Sequence, residues 1–148
     1  ELAEGYEAYS DENVTHFIEE LSDALHFFTE LMIMTGFSYK DICKSSGFPA
    51  KELKAKGKRI DISNFEEAIE IWLWDVTYFF SIACNKLKCK PWKKTQILVD
   101  IDDYKTKLLR AYNCFLMMLC EIGLNSQDIL KIYLDKNLVN KFRIRSNY

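Results

Sequence analysis

Apolar residues recur along this chain at the intervals of a helix. Val14, Phe17, Ile18, Leu21, Ala24, Leu25, Phe28, Leu31 and Met32 keep the three-, four- and seven-residue spacing of one buried stripe. That spacing predicts a helix from about Val14 to Thr35, with Ser10, Asp11 and Asn13 as capping residues before it and Gly36 as its stop. A short helix is expected at Ser38–Ser45, closed by Gly47 and Pro49. Ser63-Asn-Phe-Glu66 has capping-box spacing. It opens a helix to about Lys88 that is apolar on nearly all sides, through Phe65, Ile69, Trp72, Leu73, Trp74, Val76, Phe79, Phe80 and Ala83. Such a helix belongs in the middle of a bundle, and Trp72, Trp74, Phe79 and Phe80 are expected in the core or in a dimer interface. Cys89-Lys-Pro91-Trp92 ends it. A fourth helix is expected from about Asp100 to Ile122, burying Leu108, Ala111, Tyr112, Phe115, Leu116, Leu119 and Ile122. Gly123 follows, and Asn125 or Ser126 caps a last helix carrying Ile129, Leu130, Tyr133, Leu134 and Leu138. No alternating strand pattern runs beyond about five residues. The prediction is an all-α fold, a bundle of about five helices.

Composition agrees with long helices. The 148 residues include only 5 glycines and 2 prolines, about half the ordinary share of turn formers. The length fits one domain, 1–148. Because the chain opens on Glu1 rather than Met, and inside a helical pattern, a preceding N-terminal segment is expected. Twenty basic and 22 acidic residues nearly cancel, which argues against a nonspecific nucleic-acid surface. The most apolar run, Ile71 to Cys84, is broken by Asp75, so no membrane span is expected. Asp75 itself needs a partner if buried. Cys43, Cys84, Cys89, Cys114 and Cys120 form no C-x-x-C pair and read as free thiols of a cytoplasmic protein. Lys51–Arg59 is a charge run read as a solvated loop or flap.

Two carboxylate pairs could carry chemistry. Glu1-Leu-Ala-Glu4 is an E-x-x-E and Glu20-Leu-Ser-Asp23 an E-x-x-D. Residues three apart share a helix face, so two such helices side by side bring four oxygen donors to one point, a set that suits Mg²⁺. Glu20 borders the apolar stripe and should point at a neighbouring helix. Glu66, Glu67 and Glu70 imitate the pattern, but Glu66 and Glu67 stand in a first helical turn, where the helix dipole favours them. At the other end of the chain, Lys136, Asn140 and Arg143 follow at steps of four and three and share one face. Cations beside a carboxylate–metal cluster are what triphosphate binding needs.

Together these pieces resemble the dimeric dUTPases of phages, some bacteria and trypanosomatids, members of the all-α nucleoside-triphosphate pyrophosphatase superfamily to which the MazG-like enzymes also belong. That superfamily carries E-x-x-E followed by E-x-x-D, as at Glu1, Glu4, Glu20 and Asp23. The dimeric dUTPases place His-Phe soon after the aspartate, as at His26-Phe27. Their last motif is similar to Y-x-x-K-N-x-x-N-x-x-R-x-x-x-G-Y, and Tyr133, Lys136, Asn137, Asn140, Arg143 and Tyr148 fall on it in register. Asn147 stands where the family has glycine, Ile144 and Arg145 differ from the usual residues, and the Trp-Lys motif expected between Glu4 and Glu20 is missing.

The resemblance implies Mg²⁺-dependent hydrolysis of dUTP to dUMP and pyrophosphate by a homodimer, without nucleic acid or membrane. It implies that Glu1, Glu4, Glu20 and Asp23 hold the metal. Glu4 and Glu20 are expected to be catalytic, with Glu4 foremost in orienting or deprotonating the attacking water. Lys136, Asn137, Asn140, Arg143 and Tyr148 would bind the substrate, and His26 would sit in the core or behind the site. Two alternatives stay open on the residues alone. One is the same chemistry on another base, as in a dCTPase or a broader pyrophosphatase; the other is a non-catalytic helical interaction module.

Overall fold

A computed structural model of the chain describes residues 1–46, 66–87 and 99–146. Six helices run through them: α1 (Leu2–Ser10), α2 (Val14–Met34), α3 (Tyr39–Ser46), α4 (Glu66–Leu87), α5 (Ile101–Glu121) and α6 (Ser126–Ser146). No strand occurs among the described residues. The five expected helices are α2 to α6, and the N-terminal stretch adds α1. The Lys51–Arg59 run, the Ser63 capping box, Cys89, the Cys89–Trp92 stop, Asn147 and Tyr148 lie outside the described residues.

Local chemistry sets the ends. Asn13 Oδ1 accepts from the His16 N–H to start α2, and Asp100 Oδ1 accepts from the Asp103 N–H to start α5. Asn125 Oδ1 accepts from the Gln127 and Asp128 amides, while Asp128 accepts from the Asn125 N–H, a reciprocal cap that opens α6. Gly36 and Gly123 follow α2 and α5 with φ of 81° and 93°. Each closes paired 6→1 and 5→2 bonds onto the preceding turn. Glu12 takes the same left-handed conformation without glycine's freedom, at φ 56°, in the tight turn joining α1 to α2.

The core lies between α2, α4 and α5. Phe17, Leu21, Leu25 and Phe28 of α2 meet Ile69, Leu73, Val76 and Ala83 of α4 and Leu108, Phe115, Met118 and Leu119 of α5. Aromatic rings knit it: Phe28 touches Phe80, Tyr112 and Phe115 at centroid distances of 5.2–6.0 Å. Lys86 of α4 pairs with Asp103 of α5 at the rim.

One expectation about burial needs correcting. Helix α4 is not covered all round, for Ile71, Trp74 and Tyr78 face outward, with Trp74 69% exposed. One flank packs on α5 and the other meets solvent. On α6, Leu130, Leu134 and Leu138 are exposed and no residue of the helix is buried. The reason is rotational. Ile129, Ile132, Tyr133, Lys136, Asn140 and Arg143 share one side of α6. That largely polar side faces α2, which turns the leucine row outward.

Candidate active site

The site begins where α1 meets α2. Helix α1 buries only its smallest side chains, Gly5 and Ala8. A Cβ built on Gly5 would stand 3.5 Å from Glu20 Cβ, so the two backbones run close together at Glu20. Glu1 lies one turn before Gly5 on the same face. It reaches Glu20 and Asp23 across the gap, and one carboxylate oxygen from each of Glu1, Glu20 and Asp23 lies within 4.8 Å of the other two. Glu20 and Asp23 are half-buried and Glu1 is exposed.

Glu4 does not join them. Its carboxylate is 64% exposed and lies 3.4 Å from the Glu1 amino group. The Gly5–Ala8 seam fixes which side of α1 meets α2, and Glu4 is rotated about 100° away from Gly5. The four-donor set expected from spacing is a three-carboxylate cluster with Glu4 at its solvent edge.

The cluster carries electrostatic strain. Burial, then a hydrogen bond with Glu20 and repulsion from Asp23 and Glu4, push the Glu1 carboxyl above its ordinary value, against a lowering pull from the neighbouring amino group. Two donors reach in from outside. His16 Nε2 lies 2.9 Å from Glu20 Oε1, and Lys136 Nζ lies 2.6 Å from Asp23 Oδ2. His16 had no place in the motif reading. Its i,i+4 spacing to Glu20 was the available signal.

Helix α6 reaches this corner through polar and aromatic contacts. The His26 ring stacks on Tyr133, with centroids 4.1 Å apart and planes 4° from parallel. Ser22 Oγ donates to the Ile132 carbonyl at 3.4 Å. His26 Nδ1 lies 3.0 Å from the Ser22 carbonyl, to which only its N–H can donate. Its Nε2 is buried without a partner among the described residues. Lys136 and Arg143 line a groove of about 350 Å³ between α2 and α6, together with Ile18, Glu19, Ser22 and Asp135. Asn137 and Asn140 are half-buried on α6. The first and last motifs of the chain thus meet at one place, while Tyr148 lies outside the described residues.

Other candidates fall elsewhere. Glu70 accepts from the Tyr6 hydroxyl at 3.0 Å. Asp75 is half-buried against α5, where burial and then its charge raise the Cys114 thiol, with Arg110 acting in the opposite sense. Cys43, Cys84, Cys114 and Cys120 form no disulfide among the described residues. Among the described residues no helix is long and apolar enough to cross a membrane.

A family model described as dUTPase matches residues 7–148. The match takes in Glu20, Asp23 and the whole C-terminal motif, and it begins after Glu1 and Glu4. No curated protein and no solved structure matches the chain. With the match running over nearly its full length and its helices in place, the chain belongs to the all-α dUTPase family and is a dUTP diphosphatase, hydrolysing dUTP to dUMP and pyrophosphate.

Proposed function

We propose that this hydrolysis depends on Mg²⁺ held by Glu1, Glu20 and Asp23. The observation that carries the reading is the approach of those three carboxylates to within 4.8 Å of one another. The donors fit the ion: all are hard carboxylate oxygens, whose negative charge a divalent ion offsets. When bound, Mg²⁺ supplies charge neutralisation to the phosphate oxygens.

The chain's own residues do the rest. Glu20, one oxygen held by His16, orients the attacking water and accepts its proton. Glu4, expected to share that work, stands on the solvent side at 64% exposed, which favours Glu20 in the role. Lys136 and Arg143 face the α2–α6 groove, where they offset charge as the bond between the first and second phosphoryl groups breaks. Asn137, Asn140 and Tyr148 complete the substrate contacts in this reading.

The test is pyrophosphate release from dUTP with Mg²⁺ and with EDTA, on the parent chain and on Glu20→Gln. EDTA abolishes turnover, and Glu20→Gln lowers kcat on the order of 10²–10³-fold while far-UV circular dichroism stays helical. Turnover that survives EDTA overturns the reading.

A cytoplasmic homodimer completes the proposal. The free cysteines suit a reducing compartment. Leu130, Leu134, Leu138 and Phe142 form an exposed row, with Phe142 71% exposed, and such rows mark association surfaces. Sedimentation velocity is expected to give two copies for the parent chain and one for Leu134→Asp; a monomeric parent contradicts this.

A further inference from the structure

The carboxylate cluster already has a cation seated on it, and the cation belongs to the chain. Lys136 Nζ sits 2.6 Å from Asp23 Oδ2, and the two side chains are only 19% and 23% exposed. The same lysine lines the open groove that Arg143 enters two turns further along α6. It therefore stands between two acceptors. On one side is Asp23, whose carboxylate also offers an oxygen to the Glu1–Glu20 cluster. On the other is a space of about 350 Å³, within the size range of small-ligand sites.

Both positions are within reach of one flexible stem. A lysine carries its charge on four methylenes, so Nζ can swing several ångströms with the backbone still. It cannot keep its place once a divalent ion takes the same carboxylate. An ammonium and a divalent cation a few ångströms apart repel, and partial burial weakens the screening. The groove, with Arg143 beside it, is where a displaced Lys136 finds phosphate oxygens instead.

We propose that Lys136 is the resident counter-ion of the carboxylate cluster. It holds Asp23 while the cluster is empty, competes with Mg²⁺ for that carboxylate, and passes to the triphosphate when cation and nucleotide arrive. The proposal rests on the magnesium reading above and adds a coupling to it. The free cation must displace a lysine that only the phosphate chain takes up, so cation and nucleotide bind better together than apart, each to the same degree.

Two measurements test this without turnover. In the first, Mg²⁺ alone is titrated calorimetrically into the parent, Lys136→Gln and Lys136→Arg. Lys136→Gln tightens Mg²⁺ binding by about 3- to 10-fold, the effect of removing one nearby, partly screened positive charge, and Lys136→Arg stays within about twofold of the parent. In the second, the parent is labelled with an amine-reactive ester and read by mass spectrometry. Saturating Mg²⁺ raises the labelling of Lys136 several-fold and leaves Lys131, paired with Asp135 at 2.7 Å, unchanged. Equal or weaker Mg²⁺ binding by Lys136→Gln, or unchanged labelling of Lys136, overturns the proposal. The labelling arm needs no variant, so it decides even if Lys136→Gln fails to fold. A parent that binds no Mg²⁺ overturns the magnesium reading itself, a result distinct from either of these.

Discussion

Helices α5 and α6 have the same length, 21 residues each, and are held in opposite ways. Helix α5 buries Leu108, Ala111, Tyr112, Phe115, Met118 and Leu119, and removing that apolar surface from water is what keeps it in place. Helix α6 has no fully buried residue; only Ile129, Ile132 and Tyr133 pack, partly buried, against the core. It meets α2 through a stacked ring pair, one hydroxyl-to-carbonyl bond and the Lys136–Asp23 ion pair. Contacts of this kind are worth little individually in stability, but they are directional and can be exchanged for contacts with a ligand. The buried scaffold thus lies in α2, α4 and α5, and the substrate handling proposed above falls to the helix with the least buried surface holding it.

The sharpest way to break this comparison is to truncate one inward residue on each helix. Phe115→Ala, in the fully buried centre of α5, is expected to cost about 3–5 kcal/mol. Arg143→Ala, on exposed α6, is expected to change stability by less than about 0.5 kcal/mol, its effect appearing instead as a raised KM or lowered kcat for dUTP. Urea unfolding and steady-state kinetics on both variants check this. Similar stability losses would mean that α6 is part of the scaffold after all.

A smaller effect separates the ion pairs on the two helices. A hydrogen bond from Lys86, then the charges of Lys86 and Lys107, hold the Asp103 carboxyl below its ordinary value of 3.8. A lowered folded value means that this contribution is present above the unfolded value and is lost as pH falls through the folded one. Asp103→Asn is therefore expected to lower the urea midpoint slightly at pH 7, and the gap to the parent should close below about pH 3.8. A gap independent of pH would show that the pair contributes nothing through charge.

Much of this was legible in the sequence, for physical reasons that also explain the failures. The α2 stripe and the α5 face appeared because a helix with a single buried side imprints its period on the sequence. Gly36, Gly123, Asn13 and Asn125 marked ends because left-handed backbone and unpaired amides admit few residue types. The outer face of α4 was not legible because an apolar helix face says that something must cover it, not that this chain does. The place of Glu4 at the solvent edge was not legible because E-x-x-E spacing does not say which side of the helix faces the partner. Gly5 and Ala8 held that information, since only small side chains permit the close approach of α1 to α2. The meeting of Lys136 with Asp23 depends on how α6 lies across α2, a tertiary fact that the motif register suggested only through resemblance.

The central proposal is that Glu1, Glu20 and Asp23 form one divalent-cation site, with Lys136 of α6 seated on Asp23 until the ion binds. Calorimetric titration of Mg²⁺ into the parent and into Asp23→Asn, both checked for equal helicity, tests it most directly. The account predicts saturable binding to the parent and a loss of at least about tenfold in affinity for Asp23→Asn. Equal affinities, or no binding to a folded parent, would contradict it.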